Sequence, residues 1–296
     1  MTATDLRTAA ISIHFGGRPA DAELDLFGLT HRGKVRRDNQ DHFLLATVHP
    51  QAVIHGTSLP DADALLMRGE RLATIMLVAD GVGGGAAGSE ASRVASETIT
   101  RYVSSTLRCY HAAESAGEGA LGLLREGALE AHAAVLESAA KVPERAGMAT
   151  TLTLALAVWP WAYVVQVGDS RCYHFHDGTL QRMTRDQTIA QALVDRGALD
   201  AADAERSPLG NVLASAIGGG EAQPEVSRLD IHERGCVLLL CSDGLTKHVR
   251  DAEIEREVRG MRSSEQLCRS LLDLALERGG TDNITILSGR ALLPAG

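Results

Sequence analysis

Ile75-Met76-Leu77-Val78-Ala79-Asp80-Gly81-Val82-Gly83-Gly84-Gly85 is an apolar run that stops at a carboxylate and then at glycines. A run of that length bounded by turn residues predicts a buried strand. Asp80 falls at its end, where a side chain can leave the core and meet a ligand. The glycines let the backbone turn sharply and come close to whatever Asp80 holds. Ala86 to Tyr102 follows as a predicted helix, with small residues first and Val94 and Ile99 later. Three readings of this strand, acidic tip and glycine turn stay open on these residues alone. Gly81-x-Gly83-x-x-Ala86 fits the loose dinucleotide fingerprint, although Asp80 would set a negative charge beside a pyrophosphate. Asp80 could instead hold a metal, or cap an ordinary tight turn.

Outward from that stretch, the chain has 296 residues, enough for a sizeable core. The aromatic share is only 3%, so the core must be built from Ala, Leu, Val and Ile. A net charge of −9 argues against a general binder of nucleic acid or anionic membrane, which needs a basic face. Cys109, Cys172, Cys236, Cys241 and Cys268 are odd in number and form no CxxC pair, which points to a reducing compartment. The N-terminus shows no signal-peptide pattern and no apolar stretch approaches a membrane span, so the protein reads as cytoplasmic.

Residues 1–22 show no period and read as a loosely held tail. Leu24 to Thr30 and His42 to Val48 read as strands around the charged turn from His31 to Asp41. Residues 49–71 mix prolines and glycines with short apolar pieces and read as an insertion. Gly117 to Lys141 is a second long helix. From Thr150 the chain becomes a meander: Thr151 to Trp159, Ala162 to Val167, Arg171 to His176 and, after the hairpin signal Asp177-Gly178, Thr179 to Thr184. Thr188 to Arg196 is a short helix; Val226 to Ile231 and Cys236 to Leu240 are strands. Two helices, Ala252 to Val258 and Ser263 to Glu277, precede a last strand, Ile284 to Ser288. Strands cluster and helices cluster, which favours α+β antiparallel sheets and counts against the dinucleotide reading.

Four carboxylates share one placement. Asp41, Asp80, Asp243 and Asp282 each lie at the edge of a predicted strand beside Gly, Asn or Gln. Acids pressed together repel and are driven to protonate unless a cation offsets them. Oxygen-only ligands select hard ions such as Mg²⁺ or Mn²⁺. His174-x-His176 puts two imidazoles on one strand face, as a zinc pair would be, but no third ligand is evident.

Gly33-x-x-Arg36-x-x-Asn39-Gln40-Asp41, Ala79-Asp80-Gly81-Val82-Gly83-Gly84, Val167-Gly168-Asp169-Ser170-Arg171, Leu240-Cys241-Ser242-Asp243-Gly244-Leu245 and Asp282-Asn283-Ile284-Thr285 resemble, in order and spacing, the motifs of bacterial-type PP2C (PPM) metal-dependent serine/threonine phosphatases. The resemblance covers about Leu24 to Arg290. It implies an α-β-β-α sandwich over 23–292, with two Mn²⁺ or Mg²⁺ ions at one edge and a flap near 186–218. Asp80 would bridge both ions, Asp243 and Asp282 would complete one, and the Gly81 carbonyl the other. Asp41 would bind directly or through water. Arg36 would grip the substrate phosphate, to which a planar guanidinium is suited; the alternative for Arg36 is a solvated charge among Arg32, Lys34 and Arg37. Two metals about 4 Å apart lower the pKa of a shared water and orient it for in-line attack on phosphorus. No covalent phosphoenzyme is then required, so no Ser or Cys nucleophile is expected.

The chain departs from the family at three places. Val82 stands where some relatives carry a His that serves as general acid, which leaves that protonation to water. Met148-Ala149-Thr150-Thr151 replaces the usual Met-Gly-Thr-Thr. Arg145, Ala146 and Gly147 stand where many relatives have an acid for a third metal, with Glu144 as the nearest acid, so the resemblance does not carry to a third ion. Asp169 is expected to brace its turn and not to be a ligand. Phosphorylated proteins and a cognate Ser/Thr kinase are the expected partners of a monomer. A relative devoted to one regulatory partner, and a catalytically silent binding module, are the rival readings.

Overall fold

The computed structural model describes residues 17–51, 69–83, 86–112, 117–204 and 206–293. Two five-stranded antiparallel sheets face each other. The first has the order β10 (Glu225–Asp230), β7 (Trp161–Val167), β6 (Leu152–Val158), β3 (Ala73–Ala79), β2 (His42–Val48). The second has the order β1 (Leu24–His31), β12 (Ile284–Ala291), β11 (Val237–Cys241), β8 (Arg171–His176), β9 (Thr179–Arg182). A two-residue ladder joins β4 (Gly81–Val82) to β5 (Ala149–Thr150).

Side-chain alternation builds four layers. On β3, Ile75, Leu77 and Ala79 pack with Ile99, Val103 and Leu124 of α1 (Ala86–Ala112) and α2 (Gly117–Lys141). Met76 and Val78, one residue out of phase, face the other sheet and meet Leu238, Leu240 and Leu287. The outer face of the second sheet is covered by Ile254 and Val258 of α6 (Asp251–Arg259) and by Leu267 and Leu271 of α7 (Ser264–Glu277). Every residue of β3 is buried, which is why this antiparallel strand reads as a continuous apolar run and not as an alternating one. The α+β sandwich expected from the sequence is therefore the observed architecture.

Several local expectations shift. Helix α1 runs ten residues past Tyr102, because Val103 and Leu107 extend the buried stripe of Ile99 at i+4 spacing. Strand β12 runs to Ala291, held by β1 along its whole length. The Asp177-Gly178 hairpin is present with positive φ at both residues (50° and 71°), the geometry of a type I′ turn. Of the expected tail, residues 17–22 are not loose: the buried Arg71 donates to Asp21 Oδ1 (2.6 Å) and to the Pro19 carbonyl (2.8 Å). The expected insertion is closed at its base by Leu72 N donating to Val48 O (2.7 Å) and Gly69 N to Pro50 O (2.9 Å); its residues 52–68, and residues 1–16 of the tail, lie outside the described residues.

Candidate metal and phosphate site

The strand ends bring the expected acids together from both sheets. Asp80 follows β3 directly and Asp41 precedes β2; since His42 pairs with Ala79, the antiparallel register sets these two acids side by side. Asp282 stands two residues before β12, and Asp243 opens α5 (Asp243–Thr246) just after β11, the neighbour of β12. The Asp80 backbone is clamped: its N–H donates to Thr151 Oγ1 (3.0 Å), and its carbonyl accepts from Thr151 N and Thr150 Oγ1 (2.9 Å each). The Ala149 variant of the motif thus keeps both threonines in that role.

Asp41 is buried, and its Oδ2 accepts from Ser242 Oγ (2.8 Å) and Thr285 Oγ1 (2.7 Å). Burial pushes its carboxyl up to about 6, with Asp243 adding repulsion against the two hydroxyl donors. Asp80 is driven well above the usual carboxylate range by burial and then by Asp41, Asp243, Asp169 and Asp282. Asp243 is raised as well, by burial that Lys247 only partly opposes. Among the described residues, Asp41 Oδ1 and Asp243 Oδ1 are buried without a hydrogen-bond partner.

Asp169 lies nearer the acids than the sequence showed. It is buried with the cluster, and burial, followed by repulsion from Asp243, pushes its carboxyl up to about 8. A backbone hydrogen bond at its own turn works the other way, so Asp169 both braces that turn and lies beside the acidic group.

Arg36 reaches this group from the charged turn after β1. Its Nη2 and Nε contact Asp282 Oδ2 and Oδ1, each at 2.8 Å. The turn is held by Asn283, whose Nδ2 donates to the carbonyls of Arg32 (3.0 Å) and Asp38 (2.9 Å) while its Oδ1 accepts from Gln40 N (2.9 Å). Gly33, at φ +77°, lies so close that an added Cβ would be 2.1 Å from the Asp282 carbonyl oxygen. Lys247, which the sequence reading missed, places Nζ 2.5 Å from Asp243 Oδ2 and 2.8 Å from Asp282 Oδ2. Burial opposes the charge on Lys247, and the two carboxylates more than offset that. Burial likewise works to raise Asp282, but Arg36 and Lys247 hold it below the usual range. The available signal was spacing: Lys247 lies four residues after Asp243, one helical turn on.

Five carboxylates facing two cations leave a formal surplus of negative charge, and the donors are oxygens only. With two buried oxygens free of partners, that donor set fits hard divalent cations. Arg145, where a third-metal acid was sought, turns away to Glu90 (2.9 Å) and Ser138 (3.1 Å). The stretch taken as a flap contains α3 (Ile189–Asp195) and α4 (Ala201–Ala204) and is fastened at its start, where Arg171 Nη2 meets Asp186 Oδ2 at 2.6 Å. Away from the acids, His176 Nε2 lies 2.7 Å from Glu233 Oε2, and Asp177 adds a second carboxylate at 3.5 Å. The Glu233 hydrogen bond raises the His176 pKa, as in an ordinary surface ion pair.

Comparison with known proteins bears on the chain as a whole. The family model described as "Protein phosphatase 2C" matches residues 54–278. The chain is 32% identical over 215 residues to the serine/threonine protein phosphatase PstP of Mycobacterium tuberculosis, a match covering 73% of this chain and 40% of that protein. It is 34% identical over 214 residues to the serine/threonine phosphatase Stp of Listeria welshimeri, covering 72% and 82%. The crystal structure of M. tuberculosis PstP superposes with a TM-score of 0.72 at 27% identity, over 91% of this chain and 99% of that one. The PstP catalytic domain in complex with two manganese ions gives a TM-score of 0.69 at 27% identity, over the same shares. The chain spans 40% of the length of its PstP relatives. A family match over three quarters of the sequence, on the sandwich whose edge gathers the motif acids, means that this chain belongs to the protein phosphatase 2C family.

Proposed function

We propose that the protein is a metal-dependent phosphatase that hydrolyses phosphoserine and phosphothreonine in proteins and so opposes Ser/Thr kinases, its core a single phosphatase domain over 23–292. The observation that carries this reading is the convergence of Asp41, Asp80, Asp169, Asp243 and Asp282 with Arg36 at one edge of the sandwich. Asp80 would hold two Mn²⁺ or Mg²⁺ ions, with Asp243 and Asp282 on one, the Gly81 carbonyl on the other, and Asp41 directly or through water. When bound, such ions lower the pKa of water and offset charge on phosphoryl oxygens.

The chain's own residues supply the rest. Burial keeps the carboxylates from being hydrated by bulk water, so their charge is best satisfied by a cation. Ser242 and Thr285 fix the Asp41 carboxylate, and Thr150 and Thr151 fix the Asp80 backbone, so neither must reorganise as substrate arrives. Arg36 is half exposed at the rim. Its fork can exchange a carboxylate for two phosphate oxygens of the same geometry. Among the described residues no helix is long and apolar enough to cross a membrane, and the five cysteines are free; both are compatible with a cytoplasmic monomer acting on phosphorylated proteins.

The test is release of phosphate from a phosphothreonine peptide by the purified protein in Mn²⁺ and in EDTA. Activity in Mn²⁺ that Asp80→Asn or Asp243→Asn removes supports the reading. Activity unaffected by both variants rules it out.

A further inference from the structure

Lys247 is the unusual member of the acidic site. Its ammonium is mostly buried, and it bridges two of the carboxylates proposed to hold an ion, Asp243 at 2.5 Å and Asp282 at 2.8 Å. The bridge joins two separate elements, the start of α5 and the loop before β12. The backbone sets it in place: Lys247 N donates to the Asp243 carbonyl at 2.8 Å, closing the helical turn that brings Nζ back over the Asp243 side chain. Asp282 has little left to offer besides. Its Oδ2 accepts from both Lys247 and Arg36, and its Oδ1 faces Arg36 Nε and accepts from Asn283 N at 2.9 Å.

A small divalent ion bound by these residues needs the same lone pairs at about 2.0–2.1 Å. An ammonium at hydrogen-bonding distance and an ion at coordinating distance cannot share them. A group tethered four residues from its partner also competes at a high local concentration. We propose that Lys247 is a built-in competitor for the divalent ion at Asp243 and Asp282, and that it sets the ion concentration at which this half of the site fills. The inference rests on the reading that these two acids bind metal. The ion must displace Lys247 from both carboxylates, so binding is weaker than the same acids would give alone. Occupancy then follows the free Mn²⁺ or Mg²⁺ level instead of being permanent. Arg36 does not substitute for Lys247, since it grips Asp282 alone, from the rim, with both edges of its guanidinium.

The experiment is calorimetric titration of Mn²⁺ into the EDTA-stripped full chain, for the wild type and for Lys247→Gln, Lys247→Arg and Asp243→Asn, each checked for folding by circular dichroism. Lys247→Gln is expected to tighten one Mn²⁺ site about tenfold or more in Kd. Lys247→Arg, which keeps the charge, should stay near the wild-type value, and Asp243→Asn should lose that site. Equal or weaker affinity in a folded Lys247→Gln, with the wild type binding Mn²⁺ and Asp243→Asn failing to, overturns the role of Lys247 and leaves the metal site standing. A wild type that binds no Mn²⁺ overturns both.

Discussion

Arg36 grips Asp282 with two edges of its guanidinium, Nη2 to Oδ2 and Nε to Oδ1, both at 2.8 Å. The pair raises the Arg36 pKa through that hydrogen bond and joins a loop after β1 to the loop before β12. If the same fork serves phosphate, geometry matters as much as charge. Arg36→Ala is expected to lower kcat/KM on a phosphothreonine peptide about a hundredfold. Arg36→Lys should recover only a minor part, because an ammonium is a point charge without the planar fork. Full rescue by lysine would show that Arg36 contributes charge alone.

The loops are pressed together closely enough for single glycines to decide stability. A Cβ on Gly244 would lie 1.9 Å from the Asn283 carbonyl oxygen, so the turn after β11 and the start of β12 would have to separate. Gly244→Ala should therefore cost about 2 kcal/mol or more in denaturant unfolding. Gly260→Ala is the control: its nearest neighbour is 3.5 Å away and its φ of −92° suits any residue, so it should stay within about 0.5 kcal/mol.

The buried acids Asp41, Asp80, Asp169 and Asp243, all raised by burial, give the ion-stripped protein a pH signature. Asp41 and Asp169 rise in the fold from the ordinary 3.8 to about 6 and about 8. The folded chain thus keeps protons that the unfolded chain releases. The stability tied to them is complete below pH 4 and is lost as pH rises through 6 and then 8. His42, His174 and His248, lowered mainly by burial, act the opposite way, and their effect is complete once the pH has passed the unfolded imidazole's 6.5. In EDTA, the difference in melting temperature between wild type and Asp169→Asn should therefore fall from pH 6.5 to 9. Saturating Mn²⁺ should flatten that trend, since the ion takes the place of the protons. A difference that stays constant in EDTA would show that Asp169 does not titrate with the cluster.

The sequence carried the framework because its signals are local. Seven buried residues of β3 in a row, Asp177-Gly178 at a two-residue turn, and carboxylates placed where apolar runs stop can each be read without knowing the partner strand. The meeting of the four strand-edge acids and Arg36 was legible, since each sits in a motif. Lys247 was not. Its meaning depends on α5, a single turn of helix too short to announce itself by periodicity, and on Asp282, 35 residues away. The turn role of Asp169 was legible but its closeness to the other acids was not, because those neighbours come from other strands. The pinning of residues 19–21 escaped for the same reason: its anchor, Arg71, lies some 50 residues along the chain.

The central claim is that these strand ends form a centre for two hard cations around Asp80. Anomalous diffraction at the manganese edge, from crystals of the full chain soaked in Mn²⁺, tests it most directly. Two peaks are expected within coordinating distance of the Asp80 carboxylate, one of them also reaching Asp243 and Asp282, with the Lys247 ammonium moved off both. No peak at the acids, with Lys247 still spanning Asp243 and Asp282 at saturating Mn²⁺, would contradict the account.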